Sequence, residues 1–224
     1  MRIVLRIGGS VVASPVNTEL MSKYVDLLRT LKEQGHEVAV VVGGGSLARE
    51  FIAIAKNLGL DEQAQDEIAI SVSRLFAQLF LKKLGEMSGR KVALTLDDAA
   101  ECLSEGKIVL MGGLKPGITT DAVAALVAEH VKADLLVKGT NQDGIYNKDP
   151  QKYADAVKFD HLSFDDLPNV FSENKHKAGM HQIIDPEAVK ILKRERMKLV
   201  VVNGFKPENI LAAVKGESVG TVIS

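Results

Sequence analysis

The 224-residue sequence predicts an α/β protein, a three-layer α/β/α sandwich with an open, mostly parallel sheet. Three observations predict it. Short apolar runs recur without polar alternation, the pattern of strands covered on both faces. Between them, apolar residues fall at helical spacing. Three of the runs end in glycine-rich turns, and ligands of parallel sheets bind beyond the strand C-termini.

In chain order, RIVLRI (2–7) reads as a buried strand running into Gly8-Gly9-Ser10. EVAVVV (37–42) follows and ends in Gly43-Gly44-Gly45-Ser46. Leu47, Phe51, Ile54 and Leu58 then share one helical stripe, as do Ile68, Val72, Leu75, Phe76 and Leu79, and either stripe suits a core or an interface. Asp66 is expected to begin the second of these helices. KVALTL (91–96) and KIVLM (107–111) read as strands, the latter ending in Gly112-Gly113. DLLVK (134–138) and KLVVV (198–202) read likewise, with TVIS (221–224) expected at an edge. The alternation breaks near residue 140 at GTNQDGIYNKDP, where Asn-Gln-Asp-Gly is an ordinary turn or hairpin signal. Ser163 and Asp166 are spaced as a capping box for a short helix. The expected organisation is one domain over 1–224, with an N-terminal lobe to about residue 110 and a C-terminal lobe from about 111.

Composition narrows the function. Hydrophobic content of 46% and charged content of 25% are those of a globular protein. A net charge of −1 provides no global field for nucleic acid or an anionic membrane, so neither is an expected partner. The basic run KILKRERMK (190–198) reads as a solvated helix face. Cys102 is the only cysteine, which excludes an intrachain disulfide and a thiolate cluster; in DDAAECL it reads as a small packed thiol. The histidines at 36, 130, 161, 176 and 181 form no HExxH pair, and no protein metal site is expected. RIVLRI is too short and too charged for a signal peptide, and no apolar stretch could span a bilayer, so the expected location is cytoplasmic.

The chemistry points to phosphate. Glycine turns let main-chain N–H groups approach an anion, and a following helix N-terminus adds its dipole. Neither GxxxxGK[ST] nor the dinucleotide fingerprint GxGxxG occurs. In GGLKPGITTDAVAAL (112–126), two threonines and an aspartate exceed what one N-cap needs, and the segment reads as a loop holding a phosphate monoester. Arg49, four residues after Gly45, either folds back onto phosphate oxygens or faces solvent; its spacing allows both.

Gly8-Gly9-Ser10, VVGGGSLAR, GGLKPGITTDAVAAL and KGTNQDGIYNKDP together resemble the amino acid kinase superfamily, and within it the uridylate kinases of archaeal type. The resemblance runs from Met1 to Ser224 with the blocks in family order. It implies direct in-line transfer of the γ-phosphate of ATP to UMP, giving ADP and UDP in pyrimidine nucleotide biosynthesis. It also implies Mg²⁺ held mainly by the ATP phosphates, and a homohexamer. By the same resemblance, Gly44, Asp66, Leu114, Lys115, Pro116, Gly117, Ile118, Thr119 and Thr120 would bind UMP. Gly9, Ser10, Gly45 and Arg49 would face the ATP phosphates, with Thr140, Asn141, Tyr146 and Asp149 around the adenosine. Asp121, Arg6 and Arg49 would serve the transfer, Asp121 by orienting a cation or N–H group rather than as a base.

The sequence departs from the family pattern at three places. Bacterial uridylate kinases read Ser-Gly-Glu where this chain has Gly8-Gly9-Ser10. Many relatives carry lysine where Arg6 stands, and no lysine follows Gly179-Met180, where Asp185-Pro186 is found instead. Arg6, Lys115 and Lys138 are therefore all candidates for the cation at the transferring phosphate. Two other readings stay open: a kinase of isopentenyl phosphate, carbamate or acetylglutamate, and a non-catalytic nucleotide- or oxyanion-binding protein. Isopentenyl phosphate kinases place a histidine after the triple glycine, where this chain has Leu47 to Glu50.

Overall fold

The apolar runs assemble into one seven-stranded sheet in a computed structural model that describes residues 1–172 and 184–224. In chain order the strands are β1 (Arg2–Ile7), β2 (Glu37–Val42), β3 (Val109–Met111), β4 (Leu135–Thr140), β5 (His161–Leu162), β6 (Leu199–Asn203) and β7 (Thr221–Ile223). The helices are α1 (Gly9–Val12), α2 (Thr18–Glu33), α3 (Gly45–Asn57), α4 (Glu62–Leu84), α5 (Leu96–Ser104), α6 (Thr120–His130), α7 (Leu167–Ser172), α8 (Pro186–Arg194) and α9 (Glu208–Val214), with a 3₁₀ turn at Gly85–Met87. Across the sheet the order is β3-β2-β1-β4-β6-β7-β5. All pairings are parallel except β6 with β7. The expected open, mostly parallel sheet is what forms.

β1 lies inside the sheet, between β2 and β4, and is buried on both faces. Ile3, Leu5 and Ile7 point into the layer that contains buried residues of α2, α4 and α9, while Val4 points into the layer of α5, α6 and α8. Two covered faces and no polar alternation are the physical meaning of RIVLRI. Because β1, β2 and β4 run parallel, their C-terminal ends share one rim. Gly43 N–H donates to Ile7 O at 3.1 Å and Gly8 N–H to Gly139 O at 3.0 Å, extending the sheet into the glycine turns.

Several sequence expectations change. KVALTL does not form a strand: only Ala93 pairs, in one parallel bridge with Met111. Thr95 instead caps α5, its hydroxyl accepting from Asp98 N at 3.0 Å while the Asp98 carboxylate accepts from Thr95 N at 3.1 Å, so the chain enters a helix at Leu96. TVIS is not at an edge, since β7 lies between β6 and β5. Asp66 does not begin its helix; Asp61 caps α4 by accepting from Ala64 N at 2.8 Å. Asn-Gln-Asp-Gly makes no hairpin, and Gly144 instead packs on β7, where an added Cβ would lie 2.6 Å from Thr221 Oγ1. Of the two uses left open for the helical stripes, Phe51 and Ile54 on α3, Leu58 just past its end, and Leu75 and Leu79 on α4 are exposed and so do not serve the core.

Other expectations hold. The box at Ser163 and Asp166 forms, with Ser163 N–H donating to Asp166 Oδ2 at 2.8 Å and Asp166 N–H to Ser163 Oγ at 3.2 Å. Lys190, Lys193 and Arg194 of α8 pair with the exposed carboxylates of Glu187 and Asp165 and the half-buried one of Glu129, as a solvated face should. Among the described residues, no helix is long and apolar enough to cross a membrane. His176, Gly179, Met180 and His181 lie outside the described residues.

Gly220, at the entry to β7, has φ +67° and sits so close to β6 that a Cβ would lie 2.0 Å from Val201 O. Gly220→Ala is therefore expected to destabilise the protein by about 3 kcal/mol, a fall in Tm of roughly 6–12 °C. Thermal denaturation followed by circular dichroism measures it, and an unchanged Tm would contradict this packing.

Candidate active site

The register of the central strands places two cations side by side. Arg6 on β1 is paired with Lys138 on β4, and Arg6, two residues from Val4, shares its face of the sheet. Neighbouring strands lie about 4.8 Å apart, so the like charges need a counter-ion. Asp121, in the first turn of α6, is that counter-ion. Its Oδ1 lies 2.7 Å from Arg6 Nε, off the N–H axis, which makes this contact an ion pair rather than an aligned hydrogen bond. Its Oδ2 accepts from Lys138 Nζ. Arg6 Nη2 donates to Thr120 Oγ1 at 2.9 Å, fixing the guanidinium against the helix N-terminus.

Burial pushes the Asp121 carboxyl up. Lys138, then Arg6, and a main-chain hydrogen bond from Asp185 outweigh it and hold the group below the usual carboxylate range. For the Lys138 ammonium the balance runs the other way: burial, opposed by Asp121 and reinforced by Arg6, lowers it. The carboxylate is the more firmly held charge, because two cations flank one anion.

A second carboxylate braces the cluster. Asp185 caps α8, Oδ1 accepting from Glu187 N at 2.7 Å, while Oδ2 accepts from the Thr119 hydroxyl. Thr119 in turn caps α6, its Oγ1 accepting from Ala122 N at 3.2 Å. Two helix N-termini thus meet beside Asp121.

The glycine turns lie against the Arg6 guanidinium. A Cβ at Gly8 would sit 3.0 Å from Arg6 Nη1, and one at Gly43 would sit 3.3 Å from Nη2. Gly9 and Gly45 interlock so tightly that a Cβ on Gly9 would lie 2.2 Å from Gly45 N. Ser10 is half-buried in α1, and Gly44 stands immediately before α3. Arg49 is exposed on α3 and makes no hydrogen bond or ion pair among the described residues.

The loop from Gly112 to Thr119 connects β3 to α6 along the same rim. Asp66 Oδ2 accepts from Gly117 N at 2.8 Å, which ties α4 to this loop. Lys115, Gly117 and Thr119 are exposed, while Leu114, Pro116, Ile118 and Thr120 are half-buried. Lys115 is thus exposed, whereas Lys138 is buried and Arg6 half-buried. Beyond β4, Thr140 is buried, with its carbonyl accepting from Gly204 N at 2.7 Å. Asn141 is exposed, Tyr146 and Asp149 are half-buried, and Asp149 Oδ1 accepts from Gln151 N at 3.0 Å. No hydrogen bond or ion pair among the described residues joins Tyr146 or Asp149 to the glycine turns.

Comparison with known proteins agrees with this fold. Residues 1–203 match the model of the amino acid kinase family. The chain belongs to the amino acid kinase family. The uridylate kinase of Methanocaldococcus jannaschii is 45% identical over 225 residues, covering 100% of this chain and 99% of the relative. The crystal structure of uridylate kinase from Archaeoglobus fulgidus superposes with a TM-score of 0.90 at 42% identity, covering 100% of both chains. The UMP kinase of Bacillus anthracis, 21% identical over 100% of this chain and 95% of its own, has a TM-score of 0.84 and shares the amino acid kinase fold.

Sequence reasoning missed Ser73, Arg74 and Asp185. Asp185 carried a usable signal, an aspartate N-cap followed by proline at the first helical position. Ser73 and Arg74 carried none, because their partners are main-chain groups about forty residues away.

Replacing Asp121 strands two buried cations. Asp121→Asn is expected to cost about 3 kcal/mol of stability at pH 7. Because the folded carboxyl is held below its unfolded value near 3.9, the stabilisation is complete above about pH 4 and is lost as pH falls through the lower folded value. The gap in Tm between wild type and variant should therefore be widest at neutral pH and narrow below about pH 4. A gap independent of pH would contradict the ion cluster.

Proposed function

We propose that this chain is an ATP-dependent uridylate kinase that transfers the γ-phosphoryl group of ATP to UMP in the cytoplasm, giving ADP and UDP on the route to pyrimidine nucleotides. The carrying observation is the convergence of Arg6, Thr120, Asp121 and Lys138 beneath the glycine turns of β1 and β2, in a chain alike over its full length to proteins named uridylate kinase.

In this reading the N-terminal lobe with the loop 114–120 holds the acceptor and the C-terminal lobe holds ATP. Gly44 and residues Leu114 to Thr120 enclose UMP, with Thr120 and the α6 N-terminus on its phosphate. Asp66 reaches the ribose hydroxyls, exchanging or sharing its bond to Gly117 N–H. Gly9, Ser10, Gly45 and Arg49 face the ATP phosphates; Thr140, Asn141, Tyr146 and Asp149 surround the adenosine. The acceptor is already an oxyanion, so no strong base is required. What must be overcome is the repulsion of two anions brought into line. Arg6 and Lys138 supply cationic charge at that point, and Asp121 fixes both rather than abstracting a proton. Magnesium, when bound, would be held mainly by the ATP phosphates and would supply further positive charge against theirs.

The exposed apolar side chains of Phe51, Ile54, Leu58, Leu75 and Leu79 support self-association, which in this reading builds a homohexamer. Ile54→Glu is expected to lower the mass measured by light scattering without changing the helical content. An unchanged mass would remove this face from the assembly.

The function is tested by coupled ADP release over UMP, CMP, isopentenyl phosphate and acetylglutamate, with UDP identified directly. UMP is expected to be the preferred acceptor, and faster turnover of a non-nucleotide would overturn the reading. Arg49→Ala should lower kcat/KM by about tenfold or more through lost phosphate contacts. Asp66→Ala should chiefly raise the KM for UMP, and an unaltered KM would count against its ribose role.

A further inference from the structure

The loop assigned above to UMP is held from behind by one helix. Along α4, Asp66, Ile70, Ser73 and Arg74 recur at helical spacing and meet residues 112–117. Ser73 Oγ accepts from Gly113 N at 2.7 Å while its proton goes to Ile70 O at 2.7 Å. Arg74 forks onto two consecutive carbonyls: Nε donates to Gly113 O at 3.0 Å and Nη2 to Leu114 O at 2.9 Å. Gly112 lies so close to the helix that a Cβ there would stand 2.5 Å from Arg74 N. Loop and helix are thus in direct main-chain contact at one end and tied by Asp66 to Gly117 at the other.

Peptide planarity gives the fork a consequence. In a trans peptide the N–H points opposite to the carbonyl that precedes it. With the Gly113 and Leu114 carbonyls aimed at Arg74, the N–H groups of Leu114 and Lys115 are directed away from α4. Neither has a hydrogen-bond partner among the described residues. Two adjacent, similarly directed and unpaired N–H donors suit a ligand that offers oxygen acceptors. A lysine at position 74 would supply the charge without the planar fork that fixes both carbonyls.

We propose that Arg74 is a positioning residue for the acceptor nucleotide: by holding the Gly113 and Leu114 carbonyls, it presents the Leu114 and Lys115 N–H groups to oxygens of UMP without touching UMP itself. This rests on the uridylate kinase reading. Loss of the fork frees both peptide planes to rotate, so the acceptor meets a disordered pair of donors and binds more weakly. The ATP side is unaffected, because among the described residues the Arg74 side chain bonds only to the acceptor loop.

Steady-state kinetics on Arg74→Ala and Arg74→Lys, with UMP and ATP varied separately, test it. The expected result is a rise of about tenfold or more in the KM for UMP in the alanine variant, with the KM for ATP within about twofold of wild type. The lysine variant should fall between, and guanidinium at non-denaturing concentration should restore UMP affinity to the alanine variant alone. An unchanged KM for UMP overturns the proposal. So does an equal rise for both substrates with lowered Tm and no guanidinium rescue, which is the signature of a merely structural arginine. Should the alanine variant not fold, an unchanged KM for UMP in the lysine variant overturns it by itself. A wild-type protein that forms no UDP defeats the kinase reading and this proposal together, whereas an active wild type with indifferent variants defeats this proposal alone.

Discussion

The structure turns on one electrostatic requirement: two cations on adjacent parallel strands must be held apart in energy by a single carboxylate. Arg6 and Lys138 are register partners, and parallel pairing gives neither a route out of the other's field. Asp121 answers from a helix N-terminus, where a negative side chain is already favoured. This fixes the placement of α6 relative to β1 and β4. The loop before α6 and the helix after residue 185 then follow, because Thr119 and Asp185 cap both helices through one shared contact.

Around that cluster, main-chain contacts set the remaining geometry. Where Gly9 meets Gly45 and where Gly112 meets α4, the backbone itself is the packing surface, and any side chain would intrude. Such contacts are stiff, since they involve no rotamer that can yield. The segments that carry chemistry in this fold are thus mounted on backbone, with Ser73, Arg74 and Asp66 as polar ties from one helix.

The strands of the central sheet were legible because continuous apolar runs have one stable use in a covered parallel sheet. The glycine turns and the TTD segment were legible as loops at the strand ends for reasons of backbone freedom and helix capping. KVALTL misled because alternation and β-branched content speak for a strand, whereas the Thr95 and Asp98 box is a local hydrogen-bond device that stops it. On α3 the period was correct and left open what covers the stripe: Ala48 and Ala55 supply the buried face, while Phe51 and Ile54, with Leu58 just past the helix end, are exposed. Periodicity locates an apolar face and does not say what covers it. The role of Lys138 emerges only when strand register sets it beside Arg6, a long-range pairing that no local window contains.

The position of β7 has a consequence for biogenesis. β5 touches the sheet only through β7, which itself reaches the sheet by antiparallel pairing with β6. His161 and Leu162 therefore leave the ribosome long before the strand that anchors them has been translated. During synthesis from the N-terminus β5 cannot take its place until β7 has been made, so it joins the sheet after β1, β2 and β4 are available to pair.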